Sequence, residues 1–94
     1  MNPKIYVDDN GTKLFNCPGC EMTHSFDDRW KWNNSVGKPT FTPSLLVRYN
    51  HGDTQHRCHS FVTDGLIKFL RDCTHRLAGE DVEIPDWDGI QIKD

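Results

Sequence analysis

The chain has few of the features that would place it at a membrane, outside a cell or on nucleic acid. No stretch approaches the roughly 20 apolar residues of a membrane-spanning helix. The opening residues MNPKIYVDDNGTKLF contain no apolar run of signal-peptide type. Lys and Arg are scattered, the formal net charge is −3 and the pI is about 5.9. Phosphate neutralisation normally shows as a basic patch, so this balance argues against a nucleic-acid partner. The metalloprotease pattern HExxH is absent, as is the His-x-Glu of zinc deaminases. Apolar residues are also scarce, at 35% with a mean hydropathy of −0.71. A 94-residue chain buries only about two-thirds of its unfolded surface, so a core this thin needs outside support. Three Trp, five Phe and two Tyr supply part of it, and they argue against disorder.

Four cysteines in a chain expected in a reducing cytosol point to a metal site rather than to disulfides. No linker, repeat or low-complexity tract divides the sequence, so residues 1–94 read as a single zinc-binding, β-rich domain. The expected fold is mainly β: a small sheet and hairpin domain with a zinc knuckle and at most one short helix. Lys4–Val7 and Lys13–Cys17 flank the turn signal Asp8-Asp9-Asn10-Gly11, and Thr23–Phe26 reads as a further strand. Thr40–Tyr49 is β-rich, but Pro43 cannot donate to a ladder, which predicts an edge strand or a bulge. Asp64-Gly65 between two apolar-rich runs predicts a type I′ hairpin. Asp72–Leu77 reads as a helical turn, and Val82–Ile84 as a closing strand. The acidic residues from Glu80 to Asp88 read as a solvated strand and turn.

Cys17-Pro18-Gly19-Cys20 has the form of a zinc knuckle, in which two thiolates on a narrow turn reach one tetrahedral ion. A redox pair would require a thioredoxin-like setting that a strand-rich context does not supply. The rest of the site comes from four later candidates, Cys58, His59, Cys73 and His75. Six candidates for four positions leave two with other work. Extending the hairpin register beyond Asp64-Gly65 places Cys58 and Cys73 on one face and His59 on the other, which favours four thiolates. A bulge would admit His59 instead. His24 and His56 are weaker candidates, and His51 lies in an exposed turn. Cys58 or Cys73 could also be an ordinary buried thiol.

The blocks CPGC, KPTFTPSL (38–45), RCHSF (57–61) and DCTH (72–75) resemble a family of small uncharacterised proteins of tailed bacteriophages and prophages, classed as a domain of unknown function. The resemblance runs over nearly the whole chain. It implies a phage or prophage protein expressed in the bacterial host cytoplasm, with no assigned activity. In similar proteins the position of Cys73 can be Ser, which favours a histidine ligand.

These readings lead to a structural zinc in a protein-interaction or host-modulating accessory factor, with no catalytic residue assigned. Its partner would be a host or phage protein, contacted through Trp30 and Trp32 if these are exposed. One alternative is a zinc-dependent enzyme using His59 or His75 with Asp72. Another is a zinc-ribbon-like binder of single-stranded nucleic acid. A Cys-His nucleophilic pair drawn from Cys58 or Cys73 and His59 or His75 is a further arrangement. Protein purified without a histidine tag is expected to carry about one zinc per chain by elemental analysis. Metal-free protein of unchanged stability would contradict the site.

Overall fold

A computed structural model describes residues 3–92, and they form two antiparallel sheets with no helix among them. The strands are β1 (Tyr6–Val7), β2 (Lys13–Cys17), β3 (Met22–Phe26), β4 (Lys31–Trp32), β5 (Phe41–His51), β6 (Thr54–Thr63), β7 (Leu66–Phe69) and β8 (Asp81–Glu83). The first three make one sheet and the last five the other, each in chain order. Neighbours in sequence are therefore neighbours in space, and short turns suffice to join them. The mainly β expectation holds. Among the described residues no helix is long and apolar enough to cross a membrane.

The Asp64-Gly65 hairpin forms as its chemistry dictates. Both residues take positive φ, 51° and 83°, as a type I′ turn demands, and Thr63 pairs with Leu66. Beyond it the register departs from the regular extrapolation. The β6–β7 ladder ends at Ser60↔Phe69, and the chain then makes turns where a helical turn was expected. Leu70 N donates to His59 O at 2.9 Å, and Thr74 N donates to Arg57 O at 2.9 Å. Residues 70–75 thus run beside β6 as a looped continuation of β7. Cys73 is therefore not carried along β6 by the ladder that would have put it on the face of Cys58.

Pro43 sits in a bulge, as one of its two readings required, but β5 is an interior strand between β4 and β6. Phe41 faces Val62, whereas Leu45 faces Ser60, so residues 42–44 lie opposite Phe61 alone. An interior ladder can hold a proline only where a donor is not needed, and the bulge provides that place. Ser44 is the last residue of the bulge.

The sheets join through an aromatic stack. Phe26 of β3 lies on Phe41 of β5 with ring centroids 3.8 Å apart and an interplanar angle of 4°. Phe15 stacks on Phe26 at 5.6 Å, and Trp32 on Phe41 at 5.8 Å. Trp30 meets Phe26 edge-on at 5.3 Å, and its Nε1–H donates to Ser44 O at 3.2 Å. Trp32 Nε1–H donates to Ser35 O at 3.3 Å. Both tryptophans are thus half-buried parts of this stack. The acidic C-terminal segment is mostly exposed, but it also serves the buried Lys4. The Lys4 ammonium donates to Glu83 Oε1 at 3.0 Å and to Ile84 O at 2.6 Å, and it lies 3.7 Å from Asp86. Because Phe41 is central to the stack, Phe41→Ala is expected to destabilise the fold by about 3–5 kcal/mol, read as a lowered denaturant midpoint. A shift under about 1 kcal/mol would show that the stack does not join the sheets.

Candidate metal centre and adjoining Ser-His-Asp chain

Cys17 ends β2 and Cys20 follows on the tight turn into β3, both buried. Cys20 N–H donates to Cys17 Sγ at 3.4 Å, and Glu21 N–H donates to Cys17 O at 2.8 Å. These bonds fold the turn so that both sulfurs face inward. Cys58 arrives from β6, opposite Val47 on the core face. Its sulfur lies 3.9 Å from Cys17 Sγ. Two thiolates each about 2.3 Å from a tetrahedral ion stand about 3.8 Å apart, so this spacing suits a shared metal.

The fourth group is His75, from the turns after Phe69. Its ring packs edge-on against Phe69 at 4.4 Å, and its Nδ1 accepts from Leu77 N–H at 3.2 Å. Nε2 is then buried with no hydrogen-bond partner. A buried ring nitrogen without a partner costs stability unless something else engages it, and ligation through Nε2 requires the tautomer with its proton on Nδ1, which gives up the bond from Leu77 N–H. One ligand atom from each of Cys17, Cys20, Cys58 and His75 lies within 4.8 Å of all the others. Gly19 makes room for this approach, since a Cβ there would overlap the His75 ring.

The protonation pattern agrees with a cation-binding role. Hydrogen bonding with Cys20, together with burial, pushes the Cys17 thiol up to about 12. Bonds from Cys17 and Cys58 hold Cys20 well below the usual thiol range. Bonds with Cys17 and Cys20, then burial, drive Cys58 far up. Three neighbouring sulfurs thus disfavour being ionised together without a cation, and a metal joining them would expel their remaining protons. Burial lowers the pKa of His75, keeping its imidazole neutral as a ligand requires. The donor set fits a metal ion.

The structure thus brings together four of the six candidates, Cys17, Cys20, Cys58 and His75, and leaves His59 and Cys73 outside the cluster. The expectation of four thiolates is corrected because the ladder that would have aligned Cys73 with Cys58 stops at Phe69. Cys73 Sγ instead meets the His59 main chain, accepting from its N–H and donating to its carbonyl at 3.2 Å each. Burial raises the Cys73 pKa, so this thiol keeps its proton. Among the other histidines, His24 lies edge-on to Phe15 at 5.6 Å. His56 stacks on Tyr49 at 4.9 Å, and His51 is exposed at the end of β5.

His59 points to the opposite face of β6, where it takes part in a second constellation. Its Nε2 is 3.1 Å from Ser44 Oγ, and its Nδ1 is 3.3 Å from Asp72 Oδ2. Arg57 Nη1 lies 3.8 Å from the same carboxylate oxygen. The bulge at Pro43 places Ser44 here: its neighbour Leu45 turns into the core, and Leu46 pairs with His59 across the ladder. Ser44 thus takes the diagonal position on His59's face, within reach of its ring. Serine, imidazole and carboxylate in this order have the connectivity of a nucleophile, a general base and the group that orients the base. The sequence reading assigned no role to Ser44. Its one local signal was the serine that follows the strand-interrupting proline.

The molecule is therefore a two-sheet antiparallel protein in which a Cys3His cluster and a Ser-His-Asp chain draw on adjacent residues. The chain matches the family model of BubE, the bacterial ubiquitination-like system serine protease, over residues 2–70, and it belongs to that family. The matched span includes Ser44 and His59, while Asp72 and His75 follow it. Comparison with curated proteins and with solved structures gives no match. Cys58→Ser is expected to abolish stoichiometric metal, whereas Cys73→Ser should retain about one metal per chain by elemental analysis. Equal loss in both variants would restore Cys73 to the ligand set.

Proposed function

We propose that the protein is a serine peptidase that cleaves a protein chain with Ser44, His59 and Asp72, and that zinc held by Cys17, Cys20, Cys58 and His75 is structural. The observation that carries this reading is the hydrogen-bonded chain from Ser44 Oγ through both His59 ring nitrogens to Asp72. The family's own description, a serine protease of a ubiquitination-like system, supports it. A protein component of such a bacterial system is the substrate, and it takes the place of the protein partner expected of an accessory factor. A phage or prophage origin, and action in the host cytoplasm, rest on the resemblance of the CPGC, KPTFTPSL, RCHSF and DCTH blocks.

Ser44 Oγ attacks the scissile carbonyl carbon while His59 Nε2 takes the hydroxyl proton. His59 then delivers that proton to the leaving amine, and the C–N bond breaks to give an acyl-Ser44. Water, deprotonated by the same nitrogen, releases the acid and restores the hydroxyl. Asp72 keeps Nδ1 protonated, so that Nε2 is free to accept. The groups are half-buried to exposed on the outer sheet face, as a macromolecular substrate requires: His59 and Asp72 side chains retain 27% and 42% of their accessible surface.

The alternative of a zinc-dependent enzyme had assigned His59 or His75, with Asp72, to the metal centre. In the proposed scheme His75 serves the metal, and His59 with Asp72 serves the serine. Four protein donors also leave a tetrahedral zinc no position for water, which favours a structural metal. A fluorophosphonate probe should form an adduct on Ser44, found by peptide mass spectrometry, with none in Ser44→Ala. Asp72→Asn should slow labelling by on the order of 10³-fold or more, because the base is held in the wrong tautomer. Absence of an adduct in metal-loaded wild-type protein would overturn the assignment.

A further inference from the structure

The face of the β5–β6 hairpin that carries His59 continues away from it as a row of cross-strand pairs. Leu46 faces His59, Arg48 faces Arg57, and Asn50 faces Gln55. Alternation puts all six side chains on one side of the sheet. Arg48 and Arg57 are exposed and directly opposed, an arrangement that like-charge repulsion makes unfavourable without an anion. Arg57 lies 3.8 Å from Asp72, which already engages His59, and among the described residues Arg48 forms no ion pair. A guanidinium has five N–H donors, so Arg57 keeps most of its capacity for another partner.

A cleft of about 490 Å³ adjoins this row, lined by both arginines with Asn50, Gln55 and Thr74, and by Tyr49 and His56, whose stacked rings belong to the other side of the sheet. Arg57 is anchored there. Its main-chain N–H donates to Thr74 Oγ1 at 3.0 Å, and its main-chain carbonyl accepts from Thr74 N–H at 2.9 Å. A basic cleft on a chain of net charge −3 is a local departure that overall composition hides. Successive same-face pairs stand about 7 Å apart, which is about the span of two residues of an extended peptide.

We propose that this cleft is a substrate subsite for a carboxylate, carried about two to four residues from the bond that Ser44 attacks, since Arg57 lies two positions from His59 and Arg48 four from Ser44. The assignment rests on the peptidase reading for its role and on the opposed arginines for its chemistry. A carboxylate between two guanidinium forks accepts charge-assisted, bidentate hydrogen bonds and relieves their repulsion. Its source is either an acidic side chain or the free end of the substrate chain.

Three blocked dipeptides separate these sources by binding, with no cleavage needed. The arginine Nε–H NMR signals of metal-loaded protein are followed during titration with Ac-Ala-Glu-NHMe, Ac-Ala-Gln-NHMe and Ac-Ala-Gln-OH. The Arg48 and Arg57 signals should move with Ac-Ala-Glu-NHMe at about fivefold lower concentration than with Ac-Ala-Gln-NHMe, the modest factor suited to an exposed ion pair. The preference should weaken with added salt and vanish in Arg48→Gln. An equal response to Ac-Ala-Gln-OH assigns the chain terminus as a second source. A response to Ac-Ala-Gln-OH alone assigns the chain terminus as the source; titrations identical for all three peptides, or carboxylate-dependent shifts unaltered by Arg48→Gln, would overturn the subsite. Failure of Ser44 to react with a fluorophosphonate would overturn the peptidase reading alone, leaving these titrations to be read independently.

Discussion

The structure depends on one link, between strand β6 and the looped segment 70–75. That segment lacks the ladder that would hold it as a strand and the hydrogen bonds that would hold it as a helix. Cys58 and His75 lie on the two sides of this link and reach one cluster with Cys17 and Cys20. His59 is the residue after Cys58, and Asp72 lies three residues before His75, so the cluster also fixes the pair whose imidazole and carboxylate meet at 3.3 Å. Magnitudes show which interaction governs which. A structural zinc site is worth about 10–16 kcal/mol of apparent binding energy. A half-exposed hydrogen bond to a carboxylate contributes about 1–3 kcal/mol. On these magnitudes a metal held by the four donors would set the geometry, and the Asp72–His59 bond would follow from it. The Cys73 thiol supplements the link from inside by holding both main-chain groups of His59.

Ser44 is positioned by a different mechanism. The bulge at Thr42-Pro43 turns it onto His59's face, and Trp30 Nε1–H holds its carbonyl from the aromatic side. The same stack that joins the two sheets thereby supports Ser44. Both joints between the sheets, the aromatic stack and the Cys3His cluster, are thus tied to the Ser-His-Asp chain. This economy suits a small protein whose hydrophobic core alone is thin. It also explains how a chain with little interior volume can carry a reactive constellation, since that constellation lies on an open sheet face rather than in a deep pocket.

Much of this was legible in the sequence, and the remainder was obscured for physical reasons. The Asp64-Gly65 turn and the bulge at Pro43 follow from local chemistry, because backbone sterics act on the residue itself. The CPGC turn is equally local. The choice among Cys58, His59, Cys73 and His75 was not, because it depended on where the β6–β7 ladder ends. Extending a regular register four residues past Phe69 gave the wrong partner for Cys58. The surplus of candidates did contain the second constellation: His59, left out of the metal cluster, contacts both Ser44 and Asp72, the residue beside Cys73. Ser44 was hidden because serine is common in strands, and only a fold that brings β5 against β6 shows what it faces. Trp30 and Trp32 were offered as contact residues, and the structure places them half-buried in the stack between the sheets.

On the proposed reading, a metal that does no chemistry itself decides whether the chemistry can occur. The most direct test is the rate at which a fluorophosphonate modifies Ser44 in metal-loaded protein and in the same protein after chelation, with circular dichroism recorded in parallel. The account predicts that removing the metal slows modification by at least about 100-fold, as the Asp72–His59 geometry is lost, and that restoring zinc recovers the rate. A chelated, metal-free protein that remains folded and reacts at the undiminished rate would contradict it.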